Sequence, residues 1–244
     1  MKNPHEYFFS SQSKSYSNII NFNHGTLSQT PTEVLAARDH YAAEFERCPT
    51  LALGEAWPRM WEVNQIVAKF FGAKPENFFL RENVTQALNV FLMGLKIPQG
   101  SELLYTNLEY GAIVNILRLR AEREGFTLKS ADLPLDHALT DDEMLNCVLS
   151  QVTKKTKVIL VSHIFSATGE VFPIAKLGWA LKDSGIAVVV DGAHSPGSVN
   201  LELSQYSGLA FYAGNLHKWM LGPKGTGFGY IYPEFEEQWR PHEG

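Results

Sequence analysis

Cysteine is scarce in this chain. Cys48 and Cys147 are the only two among 244 residues, far apart and in no C-x-x-C pattern, which excludes a disulfide framework and a zinc ribbon and fits a reducing compartment. Long apolar runs are missing too: none reaches the roughly 18 residues of a membrane span. The first 20 residues are polar, rich in Ser and Asn, and lack the apolar core and small-residue cleavage site of a signal peptide. A cytoplasmic protein without membrane contact is the expectation. Positive charge is not in excess, with 21 Lys and Arg against 26 Asp and Glu and a net charge of −5, so nucleic acid and anionic lipid have no clustered cations to attract them. No internal repeat and no low-complexity linker interrupts the sequence.

What is present is a globular composition, 45% hydrophobic and 12% aromatic, which excludes a disordered chain. Little periodicity marks residues 1–30, expected to be an extended segment, and residues 31–244 are expected to form one large domain. Thr30-Pro31 reads as a cap and first-turn proline for a helix ending near Arg47, and a second helix is predicted from Pro58 to Phe71, stopped by Gly72. From Pro75 onward β-rich runs alternate with helical stretches. Strands are predicted at Phe78-Phe79-Leu80, Glu102 to Tyr105, Phe126 to Lys129, Lys157 to Val161, Ile186 to Val190, Leu209 to Ala213 and Thr226 to Tyr232. Helices are predicted at Thr85 to Leu95, at Ala112 to Glu124, after the capping box Thr140-x-x-Glu143, and from Pro173 to Asp183. This alternation predicts a three-layer α/β fold, a mainly parallel seven-stranded sheet with helices on both faces.

Ligands of such sheets bind at the carboxyl ends of the strands. Directly after successive strands stand Asn83-Val84-Thr85, Glu109-Tyr110, Ser162 to Ser166, Asp191 to His194, and Asn215-Leu216-His217-Lys218. Any one of these clusters could be a solvated loop; five on one edge favour a site. Asp191 follows Ala187-Val188-Val189-Val190, and a carboxylate among apolar walls needs a donor or cation, which Lys218 could supply in a plain salt bridge. A lysine that forms a Schiff base must lose its proton readily, as a desolvated one does, and a pyridine nitrogen that must stay protonated wants a fixed carboxylate. Asn83 and Thr85 sit where a helix begins, so they serve either as caps or as part of an anion site.

Two other readings compete. Asp191, His194, His163 and His217 are suitable metal ligands at strand ends, which would make a metal-dependent hydrolase. Ala193-His194-Ser195-Pro196-Gly197 superficially matches a nucleophile elbow, without the helix that should follow it. Gly222-Pro223-Lys224-Gly225 lacks the residue order of a P-loop and reads as a tight turn into the last strand.

The run Asp191-Gly192-Ala193-His194, with Gly214-Asn215-Leu216-His217-Lys218-Trp219 and Gly222-Pro223-Lys224-Gly225, resembles the class V aminotransferase family of pyridoxal-phosphate enzymes, in its isopenicillin N epimerase-like and cysteine desulfurase-like branches. The resemblance extends from Asn23-His24-Gly25 to Tyr232. It implies that Lys218 forms the Schiff base with pyridoxal 5'-phosphate, that Asp191 pairs with the pyridine nitrogen, and that His194 donates toward the ring's phenolic oxygen. It further implies that Tyr110 stacks on the ring, that Ser166 stands near the phenolic oxygen, and that Val84, Thr85, Asn215 and His217 hold the phosphate.

The reaction so implied acts on an amino acid through an α-carbanion, as an epimerase, lyase, desulfurase or transaminase. Family members are commonly homodimers, and a smaller carboxy-terminal domain supplies a substrate-binding arginine and, in desulfurases, the catalytic cysteine. The chain reaches Gly244 before either, so the small domain is expected to be absent, and a truncated or catalytically inactive cofactor-binding remnant is the companion expectation. Cys147, in a predicted helix, is no substitute for the catalytic cysteine.

Overall fold

The run Ala187-Val188-Val189-Val190 is buried on both faces, as a strand covered by helices on either side must be. It belongs to β5 (Ala187–Gly192), the middle strand of a seven-stranded sheet in the computed structural model, which describes residues 21–240. The other strands are β1 (Phe78–Arg81), β2 (Glu102–Thr106), β3 (Thr127–Ala131), β4 (Thr156–Ser162), β6 (Phe211–Asn215) and β7 (Gly227–Ile231). Their order across the sheet is β1-β7-β6-β5-β4-β2-β3. Only β7 runs antiparallel to its neighbours; the remaining pairs are parallel. The expected three-layer α/β architecture is therefore the observed one.

Alternation along the strands divides the core. Val189 of β5 packs with Leu88 and Phe91 of α3 (Val84–Gly94) and Ile113 and Leu117 of α4 (Gly111–Glu124). Val188 and Val190 face Met144 and Val148 of α5 (Asp141–Leu149) and Ile174 and Leu177 of α6 (Ile174–Leu181). Both halves of the Thr140–Glu143 capping box form, which fixes the start of α5. Among the described residues no helix is long and apolar enough to cross a membrane.

Three expectations need correction. The second helix, α2, begins at Pro49 and runs to Phe70, with Pro58 inside it. Pro49 holds the first-turn position; Pro58 is tolerated because the carbonyl it leaves unbonded, that of Gly54, lies on an exposed face where water can serve it. Thr30 does not cap α1 (Thr32–Arg47): its hydroxyl donates to the Gly222 carbonyl. Strand β6 starts two residues later than predicted, since Leu209 and Ala210 are buried on the approach to the sheet rather than within it.

The carboxy-terminal stretch is also structured as far as it is described. A 3-10 helix, Pro233–Gln238, leads to Trp239, which stacks 6.4 Å from Phe91, and the Arg240 amide donates to the Gly94 carbonyl at 3.1 Å. Of the expected amino-terminal extended segment, residues 1–20 lie outside the described residues. From Ser28 onward the segment is pinned: the Ser28 amide and hydroxyl both donate to the His217 carbonyl, at 3.1 and 3.0 Å.

Candidate active site

The carboxyl ends of β2, β4, β5 and β6, the start of α3 and the segment around Gly25 enclose an open cleft of about 1050 Å³. Asp191 stands in it near the end of β5, in register with Ser162 of β4 and Ala213 of β6. It is 2% exposed, and Oδ1 accepts the Ala193 amide at 2.9 Å. Burial pushes its pKa up to about 6, against the opposing pull of that amide and of the Lys218 charge.

Lys218 is carried by the turn between β6 and β7. That turn is closed by Leu216 N–H donating to Thr226 O at 3.0 Å and Gly222 N–H donating to Leu216 O at 2.8 Å, and Leu221 takes the left-handed conformation, φ 60°, that side chains avoid. Lys224 Nζ donates to Thr30 Oγ1 at 3.0 Å, fastening the amino-terminal segment over the turn. Lys218 Nζ lies 3.3 Å from His194 Nε2. Burial lowers the Lys218 pKa, with Asp191 opposing, and burial together with the Lys218 charge holds His194 down at about 4. Asp191 and Lys218 act on each other through space, while their direct contacts are with the Ala193 amide and His194 respectively. The simple salt bridge is not what the geometry shows.

The other end of the cleft is a helix start. Asn83 caps α3, its carboxamide oxygen accepting the Gln86 amide at 2.9 Å. The Val84 amide donates to Asn215 Oδ1 at 2.9 Å, which turns the Asn215 carboxamide nitrogen to the remaining side. Cap and anion site are thus not exclusive: Asn83 satisfies one amide, Asn215 another, and the Thr85 amide and hydroxyl remain at the positive end of the helix. His217 lines the same end, 7% exposed, with Nδ1 buried and without a hydrogen-bond partner. Strand β7 can pass beside this helix start because residue 227 is glycine; a Cβ there would lie 2.8 Å from Asn83 Cα.

Tyr110 is the residue preceding α4, with its side chain exposed into the cleft, and Ser166 lies on an exposed turn at the rim. All nine residues singled out for cofactor binding, Val84, Thr85, Tyr110, Ser166, Asp191, His194, Asn215, His217 and Lys218, line this one cleft. His163 does not. Its ring points to the opposite side of the sheet, where Nδ1 meets the Tyr212 hydroxyl at 2.9 Å, and burial holds its pKa down at about 4. Among the described residues no group of three or more His, Cys, Asp or Glu is placed to hold a metal ion, so the hydrolase reading loses its ligand set. Ser195 is fully buried and presents no nucleophile. Cys147 lies in α5 and packs toward the core away from the cleft.

Two residues named in the sequence motifs were given no role there. Glu109, beside Tyr110, accepts Thr106 Oγ1 at 2.6 Å and the Ser162 amide at 3.0 Å on Oε1, and pairs with the Ser162 hydroxyl at 2.6 Å on Oε2. Burial pushes it up to about 7, with the Asp191 charge adding to the rise and these hydrogen bonds opposing it. A lone carboxylate directly after a buried strand was the available signal. Trp219 donates from Nε1 to His194 Nδ1 at 3.3 Å, and its indole lies against Gly25, where a Cβ would sit 3.0 Å from Cζ2. Nothing in the local pattern distinguishes such a tryptophan from a core residue.

A buried carboxylate, a desolvated lysine and an open helix start stand on the carboxyl edge of a mostly parallel sheet, and the sheet and its helices have the fold of the pyridoxal-phosphate-dependent transferases. The chain belongs to the class-V aminotransferase family, whose description matches residues 19–244. It is 32% identical over 230 residues to isopenicillin N epimerase of Streptomyces clavuligerus, covering 91% of this chain and 56% of that protein. A probable cysteine desulfurase of Pyrococcus abyssi is 28% identical, with the same coverages of 91% and 56%. Among solved structures, the cystine C-S lyase C-DES in complex with its product cysteine persulfide superposes with a TM-score of 0.85 at 27% identity, over 93% of this chain and 60% of that one. A C-DES variant with glycine covalently linked to its PLP cofactor superposes with a TM-score of 0.84 at 26% identity, over 99% of this chain and 62% of that one. The chain thus spans little more than half the length of the curated relatives it matches. Family and fold indicate pyridoxal 5'-phosphate as the cofactor, and the orphaned His217 Nδ1 and the open start of α3 fit its phosphate.

Proposed function

We propose that the chain is the cofactor-binding part of an enzyme that acts on an amino acid by moving a proton at its α-carbon, in an epimerase, lyase, desulfurase or transaminase reaction. When bound, pyridoxal phosphate supplies a carbonyl that condenses with an amine and a protonated ring that withdraws electrons from the substrate. The observation that carries this reading is the convergence of Lys218, Asp191 and His194 on one cleft with the α3 helix start.

Lys218 is the amine that would hold the cofactor and then, once freed by the substrate amine, carry the α-proton. Its pKa is lowered mainly by burial, as a lysine serving as base requires. Asp191 would keep the ring nitrogen protonated, and a cationic partner would draw its own pKa back down from about 6. His194 would donate to the phenolic oxygen, and Tyr110 and Ser166 would bound the ring's faces and edge. The Thr85 amide and hydroxyl, the Asn215 amide, His217 and the Val84 turn would hold the phosphate. The division near residue 30, homodimerisation and a cytoplasmic setting belong to the same reading; both cysteines are free, as a reducing compartment would keep them.

The test is to load the protein with pyridoxal phosphate and incubate it with a panel of amino acids in deuterium oxide. Deuterium at the α-carbon of at least one amino acid, lost in Lys218→Ala, is the expected result. No exchange with any amino acid from a protein that carries the cofactor would count against an active enzyme.

A further inference from the structure

We propose that Trp219 is a positioning residue that selects the Nε2–H tautomer of His194, so that the imidazole faces Lys218 and the cofactor as a hydrogen-bond donor. The proposal rests on the reading above of Lys218 and His194 as the cofactor-facing pair.

An indole nitrogen can only donate. Trp219 Nε1 lies 3.3 Å from His194 Nδ1, so Nδ1 must present its lone pair to make that bond. A neutral imidazole with a bare Nδ1 carries its proton on Nε2, and Nε2 is the atom 3.3 Å from Lys218 Nζ. The N–H can then donate only to a lysine nitrogen that offers a lone pair, the uncharged amine that must attack a carbonyl. The same N–H is a donor in place for an anionic oxygen. The opposite tautomer would leave the indole N–H facing another N–H and present a lone pair to the cofactor, where a phenolate needs a donor. Burial, which lowers the pKa of both His194 and Lys218, favours this neutral pair.

Two glycines crowd residue 219, one at its ring and one at its backbone. The indole Cζ2 lies 3.0 Å from where a Cβ on Gly25 would stand, and that Cβ would also be 3.6 Å from His194 Cε1, so a side chain at residue 25 would press the indole toward the imidazole. Behind it, the Trp219 carbonyl lies 2.6 Å from the Cβ position of Gly197, which brings the turn after His194 against the Trp219 backbone. This gives a physical reason for the glycine of Asn23-His24-Gly25: it admits the side chain that orients the histidine.

The test is nitrogen-15 NMR of histidine side chains in the cofactor-free protein near pH 8, with His194 assigned from His194→Gln. The wild type is expected to show a bare Nδ1 and a protonated Nε2 at His194. In Trp219→Phe, which keeps a flat ring over Gly25 without the N–H, the ratio of the Nε2–H to the Nδ1–H tautomer should fall by about three- to tenfold, the worth of one hydrogen bond. A protonated Nδ1 in the wild type, or an unchanged ratio in a folded Trp219→Phe, would overturn the proposal; the wild-type spectrum decides alone should the variant not fold. A second readout uses loaded protein: the pH at which the visible band of the lysine-linked cofactor bleaches should shift upward in Trp219→Phe and in His194→Ala, which removes the donor, and no further in the double variant than in His194→Ala. Additive shifts would contradict an action through His194. Because the NMR readout needs no cofactor, failure of wild-type protein to link the cofactor through Lys218 would sink the proposed function while leaving the tautomer result to stand or fall separately.

Discussion

The Val84 amide donates to Asn215 Oδ1 at 2.9 Å, a bond between residues 131 positions apart that ties the start of α3 to the end of β6. One side chain thereby couples the helix-start end of the cleft to the strand that leads into Lys218. Asn215→Ala leaves the buried Val84 amide unsatisfied and should cost roughly 1–3 kcal/mol in urea unfolding. Asn215→Asp keeps the acceptor and the stability while placing a carboxylate where the phosphate would sit. It should unfold like the wild type yet bind pyridoxal phosphate at least tenfold more weakly; equal binding would detach Asn215 from the phosphate.

The close pass of β7 beside α3 depends on Gly227. A Cβ there would lie 2.8 and 2.9 Å from the Asn83 Cα and carbonyl carbon and 2.9 Å from the Gly214 oxygen, all backbone atoms that cannot swing aside. Gly227→Ala should therefore destabilise the protein by roughly 1–3 kcal/mol and weaken cofactor binding with it. A thermal melt unchanged from wild type would show that the helix start is not held so tightly.

Glu109 makes stability depend on pH. Its pKa rises from 4.5 unfolded to about 7 folded, so between those values the folded chain keeps a proton that the unfolded chain has shed, and raising the pH favours unfolding. The contribution is roughly 1–3 kcal/mol, absent below about pH 4.5 and complete above about pH 7. His163 and His194 work in the other direction, since folding holds them near 4 instead of 6.5 and the chain loses stability as pH falls between those values. The Glu109 part must therefore be read as a difference. Glu109→Gln can reproduce the protonated carboxyl's bonds to Thr106 and Ser162, and its unfolding free energy minus that of the wild type should grow by roughly 1–3 kcal/mol from about pH 4.5 to about pH 7.5. A flat difference would mean that Glu109 ionises at its ordinary pH.

The proposed homodimer can be sought on α1 and α2. No residue of α1 is buried, and Tyr41, Phe45, Trp57, Met60 and Trp61 are all exposed on the pair, an apolar surface of the kind that self-association covers. Trp57→Glu with Met60→Glu should weaken self-association by roughly tenfold or more in sedimentation velocity. Association of undiminished strength would move the interface elsewhere.

The sheet was legible because its central strands are apolar runs bounded by turn residues; β5, with four consecutive aliphatic positions, could hardly be read otherwise. The site was legible where one residue type carries the chemistry, as at Lys218 and Asp191. Pro58 misled because the first-turn rule is silent about which of two prolines opens a helix, and exposure, not sequence, makes the second one tolerable. His163 misled because a strand end offers two faces, and only the contact of its ring with the Tyr212 hydroxyl shows which one it takes. Glu109 and Trp219 act through partners 53 and 25 positions away, and such pairs exist only once the chain is folded.

The amine of Lys218 is the proposed point of attachment for the cofactor. Protein incubated with pyridoxal phosphate, reduced with borohydride and digested should give one pyridoxyl-modified peptide, carrying the adduct on Lys218, and Lys218→Ala should give none. An adduct on another lysine, or no stable adduct in the wild type, would contradict the account.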